Sequence, residues 1–299
     1  MSGKVPSAQI PAVYHRKVGD LVVSAVSDGF LQGNLDVMRN VDVEVARTIL
    51  EMAFRPARRT SVNCFLIFTG GRIGLIDAGC GSGLSATAGK LIENLASMGI
   101  TPADIDTVLM THLHADHGAG LIDPHSGNKI FGNAEVVLHE AEMAHWHDEE
   151  AEKVAPELHR NSFFPGARKY IAPYKKDAVR LVRDQEVMPG VFAVPSPGHT
   201  PGHLAFLISS GDEQLMIWGD TVHVPEVQTL IPRAGMSFDT NLDQAAKSRA
   251  RMFDRVATDK ILVAGMHTHF PGFGRLARDG EGYRLYPEAW VQTLRGTEI

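Results

Sequence analysis

Apolar and polar positions along the chain change period repeatedly. Each change is marked by glycine, proline, asparagine or aspartate. Short apolar runs at Leu21–Val26, Val62–Phe68, Arg72–Ile76 and Asp106–Met110 predict strands, and Thr69-Gly70-Gly71 between the second and third predicts a hairpin. Further runs at Glu135–Leu138, Val179–Val182, Val191–Pro195, Leu204–Ile208, Gln214–Trp218, Ile261–Ala264 and Gly282–Tyr286 predict more strands. Helical spacing occurs over Asp42–Phe54, Leu84–Met98, His139–Glu150 and Thr240–Ala257, with Gly99 stopping the second helix. Asn161–Tyr174 is aromatic and broken by Pro165 and Pro173. Residues 1–19 are polar and read as an arm over the surface. In each half of the chain, strands run into loops and helices lie between them. Two mixed β-sheets packed face to face, with helices on both outer sides, would gather those loops at one edge. We therefore expect one α/β domain, residues 1–299, with no linker or low-complexity segment.

The densest chemistry lies in Thr111-His112-Leu113-His114-Ala115-Asp116-His117-Gly118, directly after the Asp106–Met110 strand. Three histidines and an aspartate in six positions would be costly to bury without a counterion. In an extended segment His112 and His114 share a face, and the turn aims Asp116 and His117 at a neighbouring point. Two ligand pairs on one loop suggest two metals close together.

Similar strand-to-loop junctions recur later. His199 sits in Ser196-Pro197-Gly198-His199-Thr200-Pro201-Gly202-His203, a loop stiffened by Pro and Gly. His203 opens the next strand and reads as a supporting residue. Asp220 follows an apolar strand and Gly219, well placed to bridge two cations. The last junction carries His267 and His269, of which one can be a ligand and the other can line a pocket.

Composition narrows the functions available. With 44% hydrophobic and 21% charged residues over 299 positions, the chain can bury a sizeable core. A net charge of -6 disfavours nucleic acid as a partner. Cys64 and Cys80 make no disulfide framework; Cys64 reads as core and Cys80 as core or loop filler. The N-terminus has no secretory h-region and no run is long enough to span a bilayer, so a cytoplasmic location is expected. Arg55, Arg58 and Arg59 read as a solvated basic turn.

The loop of His112, His114, Asp116 and His117, followed by His199, Asp220 and a late histidine, resembles the metallo-β-lactamase superfamily. The likeness runs from about Val62 to about Tyr286. The segments Ser196–His203, Gly219–Val222 and His267–Gly274, with Glu281-Gly282-Tyr283-Arg284, look most like the methyl parathion hydrolase and N-acyl homoserine lactonase branch. The resemblance implies a four-layer αββα sandwich and two divalent metal ions, zinc first, with manganese, iron or cobalt as alternatives. It implies one ion held by His112, His114 and His199 and another held by Asp116, His117 and His267, with Asp220 between them. His269 stands where that branch often has proline. Asp77 matches an aspartate that orients a ligand histidine.

It further implies a shared water activated for attack on a small-molecule lactone, ester or phosphotriester, with Asp116 moving the proton. His223 stands three after Asp220, where lactonases commonly carry a substrate-binding tyrosine, and is a candidate donor or general acid. The region of about residues 139–176 is expected to cap the pocket. Trp146, Phe163, Phe164, Met236, Phe238, His269 and Phe270 are the expected wall, and a homodimer is the expected assembly. β-Lactam hydrolysis is a competing reading, opposed by Asp220, and a glyoxalase-type thioesterase is another. An iron-dependent redox enzyme is opposed by His114, because the diiron reductases carry glutamate there. A degenerate scaffold would have lost ligands, and this chain keeps the set.

Overall fold

The computed structural model describes residues 9–10, 12–55, 58–174 and 178–294. In chain order its first half contains β1 (Val13–Val18), β2 (Leu21–Gly33), β3 (Met38–Arg39), α1 (Val43–Met52), β4 (Arg58–Thr69) and β5 (Arg72–Ile76). Then come α2 (Leu91–Ser97), β6 (Thr107–Leu109), α3 (Ala115–Gly118), β7 (Glu135–His139), α4 (Glu140–Trp146), α5 (Glu149–Val154), α6 (Phe164–Ile171) and β8 (Val179–Val182). The second half contains β9 (Glu186–Met188), β10 (Val191–Pro195), β11 (Leu204–Ser210), β12 (Glu213–Ile217), α7 (Pro225–Leu230) and β13 (Gly235–Met236). It ends with α8 (Leu242–Thr258), β14 (Leu262–Ala264), β15 (Phe273–Asp279) and β16 (Gly282–Pro287).

Two seven-stranded mixed sheets result, in the orders β1-β2-β4-β5-β6-β7-β8 and β16-β15-β14-β12-β11-β10-β9. The period-two alternation of β4 shows how they become layers. Phe65 and Ile67 point into a core shared with Leu204, Phe206, Ile208 and Ile217 of the second sheet. Cys64 and Leu66 point the other way, onto Leu91 and Leu95 of α2 and Trp146 and Phe164 of the helical segment. On the far side, Ala205, Leu207 and Met216 meet Met252, Phe253 and Val256 of α8. The four-layer αββα sandwich expected from the sequence is therefore present. No helix among the described residues is long and apolar enough to cross a membrane.

Several expected boundaries move. The arm proposed for residues 1–19 instead contains β1, paired antiparallel with β2 from Val13↔Val26 to Val18↔Leu21. Its polar His15, Arg16 and Lys17 suit an edge strand, which hid it. Residues 1–8 and 11 of that arm lie outside the described residues. The Leu84–Met98 helix shrinks to α2. Gly89 takes φ 85°, and the Asp28 carboxylate accepts the N–H groups of Gly89 and Leu91, capping the helix from a distant strand. The His139–Glu150 helix splits at Asp148, whose side chain caps α5 through Glu150 N and Ala151 N. In the Asn161–Tyr174 segment a wide π-type turn over His159–Phe163 runs into α6. The proposed cap thus consists of α4, α5, that turn and α6, and its residues 175–176 lie outside the described residues. Among the elements with no prediction are β15, hidden behind the histidine loop, α7, and the short β3, β9, β13 and α3.

Candidate metal centre

The loops that follow β6, β10, β12 and β14 end at one edge of the sandwich, and each delivers a side chain to the same point. Nδ1 of His114 lies 2.9 Å from Nε2 of His199, which lies 3.1 Å from Nε2 of His112. Asp116, His117 and His267 form a second group. Nε2 of His117 is 3.7 Å from the Asp116 carboxylate, and Nε2 of His267 is 3.5 Å from it. Asp220 stands between the groups. Its Oδ1 is 3.2 Å from Nε2 of both His117 and His267, and its Oδ2 is 3.3 Å from His199 and 3.7 Å from His112. Four donors at about 2.0–2.1 Å from a tetrahedral ion stand about 3.3 Å from one another, so these spacings match the edges of coordination shells.

The hydrogen bonds on the outer side of each ring fix which nitrogen carries a lone pair inward. Nδ1 of His117 donates to Asp77 at 2.7 Å, Nδ1 of His199 to Asp239 at 2.8 Å, and Nδ1 of His267 to the Ser61 carbonyl at 2.8 Å. The Thr111 hydroxyl donates to Asp77 at 2.8 Å and so accepts from Nδ1 of His112 at 3.0 Å. Four buried imidazoles therefore turn unprotonated Nε2 atoms toward each other and toward two carboxylates. Such a ring of acceptors is unfavourable unless a cation or protons sit inside it. Nε2 of His117 and Oδ1 of Asp220 have no hydrogen-bond partner. The donor set thus fits divalent cations.

The electrostatics agree. Burial alone would push His117 and His267 down, yet Asp220 and Asp116 hold both above the ordinary imidazole range. His199, equally buried, is pushed up to about 9 by Asp220 and Asp239. Burial would raise Asp220, but the histidines around it, His117 and His267 first, hold it well below the usual carboxylate range. With only protons available, the cluster draws positive charge inward.

Local backbone features hold the loops in place. Asp77 ends β5 at φ 58°, which costs a residue with a Cβ about 1–2 kcal/mol. The conformation persists because both of its oxygens are used, by the Thr111 backbone, the Thr111 hydroxyl and His117. Gly219, also at positive φ, lets Asp220 approach His203, since a Cβ there would lie 2.5 Å from Nε2 of His203. His203 donates from Nδ1 to the Ser196 carbonyl and accepts the Asp220 N–H on Nε2 at 2.9 Å. Burial pushes it down to about 3, which keeps that acceptor nitrogen free. Asn63 donates to the carbonyls of Gly265 and Thr268 and so anchors the His267 loop.

Glu142 of α4 carried no signal in the sequence. It is fully buried and accepts four hydrogen bonds. Oε1 takes Leu113 N at 2.9 Å and the Trp146 indole at 2.6 Å; Oε2 takes the Thr200 hydroxyl at 2.5 Å and Gly202 N at 3.2 Å. One carboxylate thereby ties the His112–His117 loop to the His199 loop. Asp239 and Arg249, which donates to the Thr221 carbonyl, are further supports that sequence reasoning missed. Each sits in an ordinary helix or loop, and its role exists only through a distant contact.

A cleft of about 360 Å³ opens over the centre, with Leu31, Leu84, Phe163, Phe238 and Arg58 in its wall beside His114, Asp116, Asp220, His223 and His267. His223 is buried here, with Nε2 2.9 Å from Asp220 and its ring stacked on His267. Of the aromatic wall candidates, Phe163 and Phe238 are at the cleft. Trp146 and Phe164 are instead fully buried in the helical core, where Trp146 supports His114 from behind at a ring distance of 5.7 Å. Met236 packs in a small core with α1 and α7. His269 is turned away, bonded to Glu226 at 2.7 Å, and Phe270 packs between the sheets. Arg58 corrects the reading of a solvated basic turn, since it faces the cleft; Arg59 covers the Phe30 ring instead. Cys64 and Cys80 are both buried thiols.

Comparison with known proteins agrees with this arrangement. The sequence profile of the Metallo-beta-lactamase superfamily matches residues 57–269. An N-acyl homoserine lactonase of Bacillus sp is 30% identical over 203 residues, 67% of each chain, and one of Bacillus cereus is 27% identical over 201 residues, again 67% of each. Among solved structures, hydrolase AbOPH of the beta lactamase superfamily superposes with a TM-score of 0.89 at 27% identity, covering 95% of this chain and 100% of its own. AidC, a dizinc quorum-quenching lactonase, superposes with a TM-score of 0.88 at 26% identity, covering 94% and 99%. Fold, converging ligand atoms and matching relatives together make this chain a member of the metallo-beta-lactamase superfamily and a metal-dependent hydrolase of its lactonase-like branch.

Proposed function

We propose that the protein is a dinuclear metal hydrolase that opens small-molecule lactones and accepts esters and phosphotriesters of similar size. The observation that carries this reading is Asp220, a single carboxylate within 3.7 Å of histidine nitrogens of both groups. His112, His114 and His199 would hold one ion and Asp116, His117 and His267 the other, with Asp220 shared. Zinc suits a histidine and carboxylate set of this kind. Two such ions supply Lewis acidity, making water nucleophilic near neutral pH and polarising the oxygen of the scissile bond.

The chain's own residues do the rest. Water adds to the lactone carbonyl carbon and the acyl carbon–oxygen ring bond breaks. One proton of the water passes through Asp116, at the edge of the cleft, to the alkoxide oxygen that leaves; the new carboxylic acid gives up the other to solvent, so the product is a hydroxy acid anion. His223 lines the same space, its Nε2–H donating to Asp220 and its Nδ1 left without a partner among the described residues to meet the substrate. Phe163 and Phe238 exclude water from an apolar acyl group. A cleft of this volume suits a small molecule.

Turnover by metal-analysed protein of homoserine lactones of several acyl lengths, an aryl ester, a phosphotriester and nitrocefin tests the reading. Highest efficiency on the lactones, with about two ions per chain, is expected. Efficient hydrolysis of nitrocefin alone, or full activity with no bound metal, would overturn it.

Two variants probe the supports. His223→Ala is expected to lower kcat about 100-fold with metal content unchanged. Equal turnover would remove His223 from the reaction. Asp77→Asn leaves His117 without its charged acceptor and is expected to weaken metal affinity about 10–100-fold, read by competition with a chelator.

A further inference from the structure

The cleft holds one basic side chain that the hydrolytic reaction above does not use. Arg58 lies at the start of β4, on the same side of the strand as Thr60, which also lines the cleft. Its guanidinium is held at two points: Nε donates to the Asn34 carbonyl at 2.9 Å and Nη1 to the Thr60 hydroxyl at 3.2 Å. Among the described residues no carboxylate lies within 4.0 Å of it. Among those residues Nη2 also has no acceptor, so one edge of the planar group keeps its N–H donors for something else.

Space has been left for this group. Arg58 pairs with Gly33 across β2 and β4, and a Cβ on Gly33 would lie 2.0 Å from Nη2. Any side chain at position 33 would push the guanidinium out of its seat. Burial pushes the Arg58 guanidinium down, and the nearby Asp116 charge pushes back. A half-buried cation without an ion pair has lost hydration that an anionic ligand would restore.

We propose that Arg58 is a specificity residue that binds an anionic oxygen, carboxylate or phosphoryl, carried by the substrate at the end of the cleft away from its scissile bond. The inference rests on the hydrolase reading above and deepens it. It singles out substrates bearing a negative charge at the end of the molecule away from the bond that is cut, and it gives Gly33 the task of keeping the seat open.

A matched pair of esters tests it: 4-nitrophenyl hexanoate, which is neutral, and the mono-4-nitrophenyl ester of adipic acid, which ends in a carboxylate. In Arg58→Met, kcat/KM for the adipate ester is expected to fall at least about 10-fold, chiefly through KM, while the hexanoate ester changes less than about threefold. Arg58→Lys should recover part of the loss and Gly33→Ala should reproduce it, each with unchanged metal content. Equal losses on both esters, or no loss on either, would overturn the proposal. If the wild-type protein cleaves neither ester, the ester part of the hydrolase reading fails by itself. Calorimetric binding of adipate against hexanoate to the metal-loaded protein then still decides Arg58: a preference for adipate lost in Arg58→Met supports it, and no preference overturns it.

Discussion

Replacing Asp220 by alanine is expected to reduce turnover by roughly 10³-fold or more and to lower bound metal from about two ions per chain toward one. No other side chain in the cluster approaches both histidine groups so closely. Its Oδ1 is 3.2 Å from the inward nitrogens of His117 and His267, and its Oδ2 is 3.3 Å from that of His199. Without it, His117 and His267 keep Asp116 as an acidic neighbour on their inward side, whereas the inward nitrogens of His112, His114 and His199 keep none, Asp239 holding His199 only at its outer Nδ1. Asp220→Asn separates charge from shape. It preserves the volume and one oxygen but removes the negative charge, and should lose nearly as much activity. Elemental analysis and steady-state kinetics on the same preparations check both variants. Full activity in Asp220→Ala would defeat the shared-ligand arrangement.

Glu142→Ala is expected to be the most damaging substitution outside the ligand set. It strands four buried donors: two backbone N–H groups, the Thr200 hydroxyl and the Trp146 indole. Each unmade buried bond costs about 1–3 kcal/mol, and water entering the gap recovers part of that. A net loss of about 3 kcal/mol, or about 5–10 °C in melting temperature, is expected from thermal unfolding. Metal affinity should fall as well, because the histidine loops at Leu113 and Thr200 lose their common anchor. Glu142→Gln sharpens the test. An amide offers one acceptor oxygen where the site presents donors on both sides, so it can satisfy only half of them. An intermediate loss is expected, whereas wild-type behaviour in Glu142→Gln would show the clamp to be unimportant.

The sequence made the ligands far easier to find than their supports. His112, His114, Asp116 and His117 are adjacent, and His199, Asp220 and His267 each follow a strand, so a pattern confined to a few residues exposes them. Glu142 and Asp239 lie in plain stretches, and their importance arises only when the metal-ligand loops, Leu113 and His199 at 29 and 40 positions away, fold against them. Arg58 was misread for the same reason, since charge spacing alone does not say which side of a strand faces a cleft. Among the elements, strands buried on both faces were clear from their apolar runs. β1 escaped because an edge strand carries polar residues, and α2 was drawn too long because its true start is set by Asp28, a residue of another strand. The aromatic residues split on burial: hydrophobicity marked Trp146 and Phe163 alike, but only packing put one behind His114 and the other in front of it.

The ligand-bearing loops are divided between the sheets. His112 to His117 come from the first, while His199, Asp220 and His267 come from the second. Any ion bound by both sets acts as a rivet across the seam of the sandwich. Chelation should therefore do more than silence the enzyme: it should let the seam breathe, with faster amide exchange at the ends of β6, β12 and β14 than at the opposite edge. The same division makes the protein a candidate for cutting into two fragments that rejoin on command, with added metal as the signal.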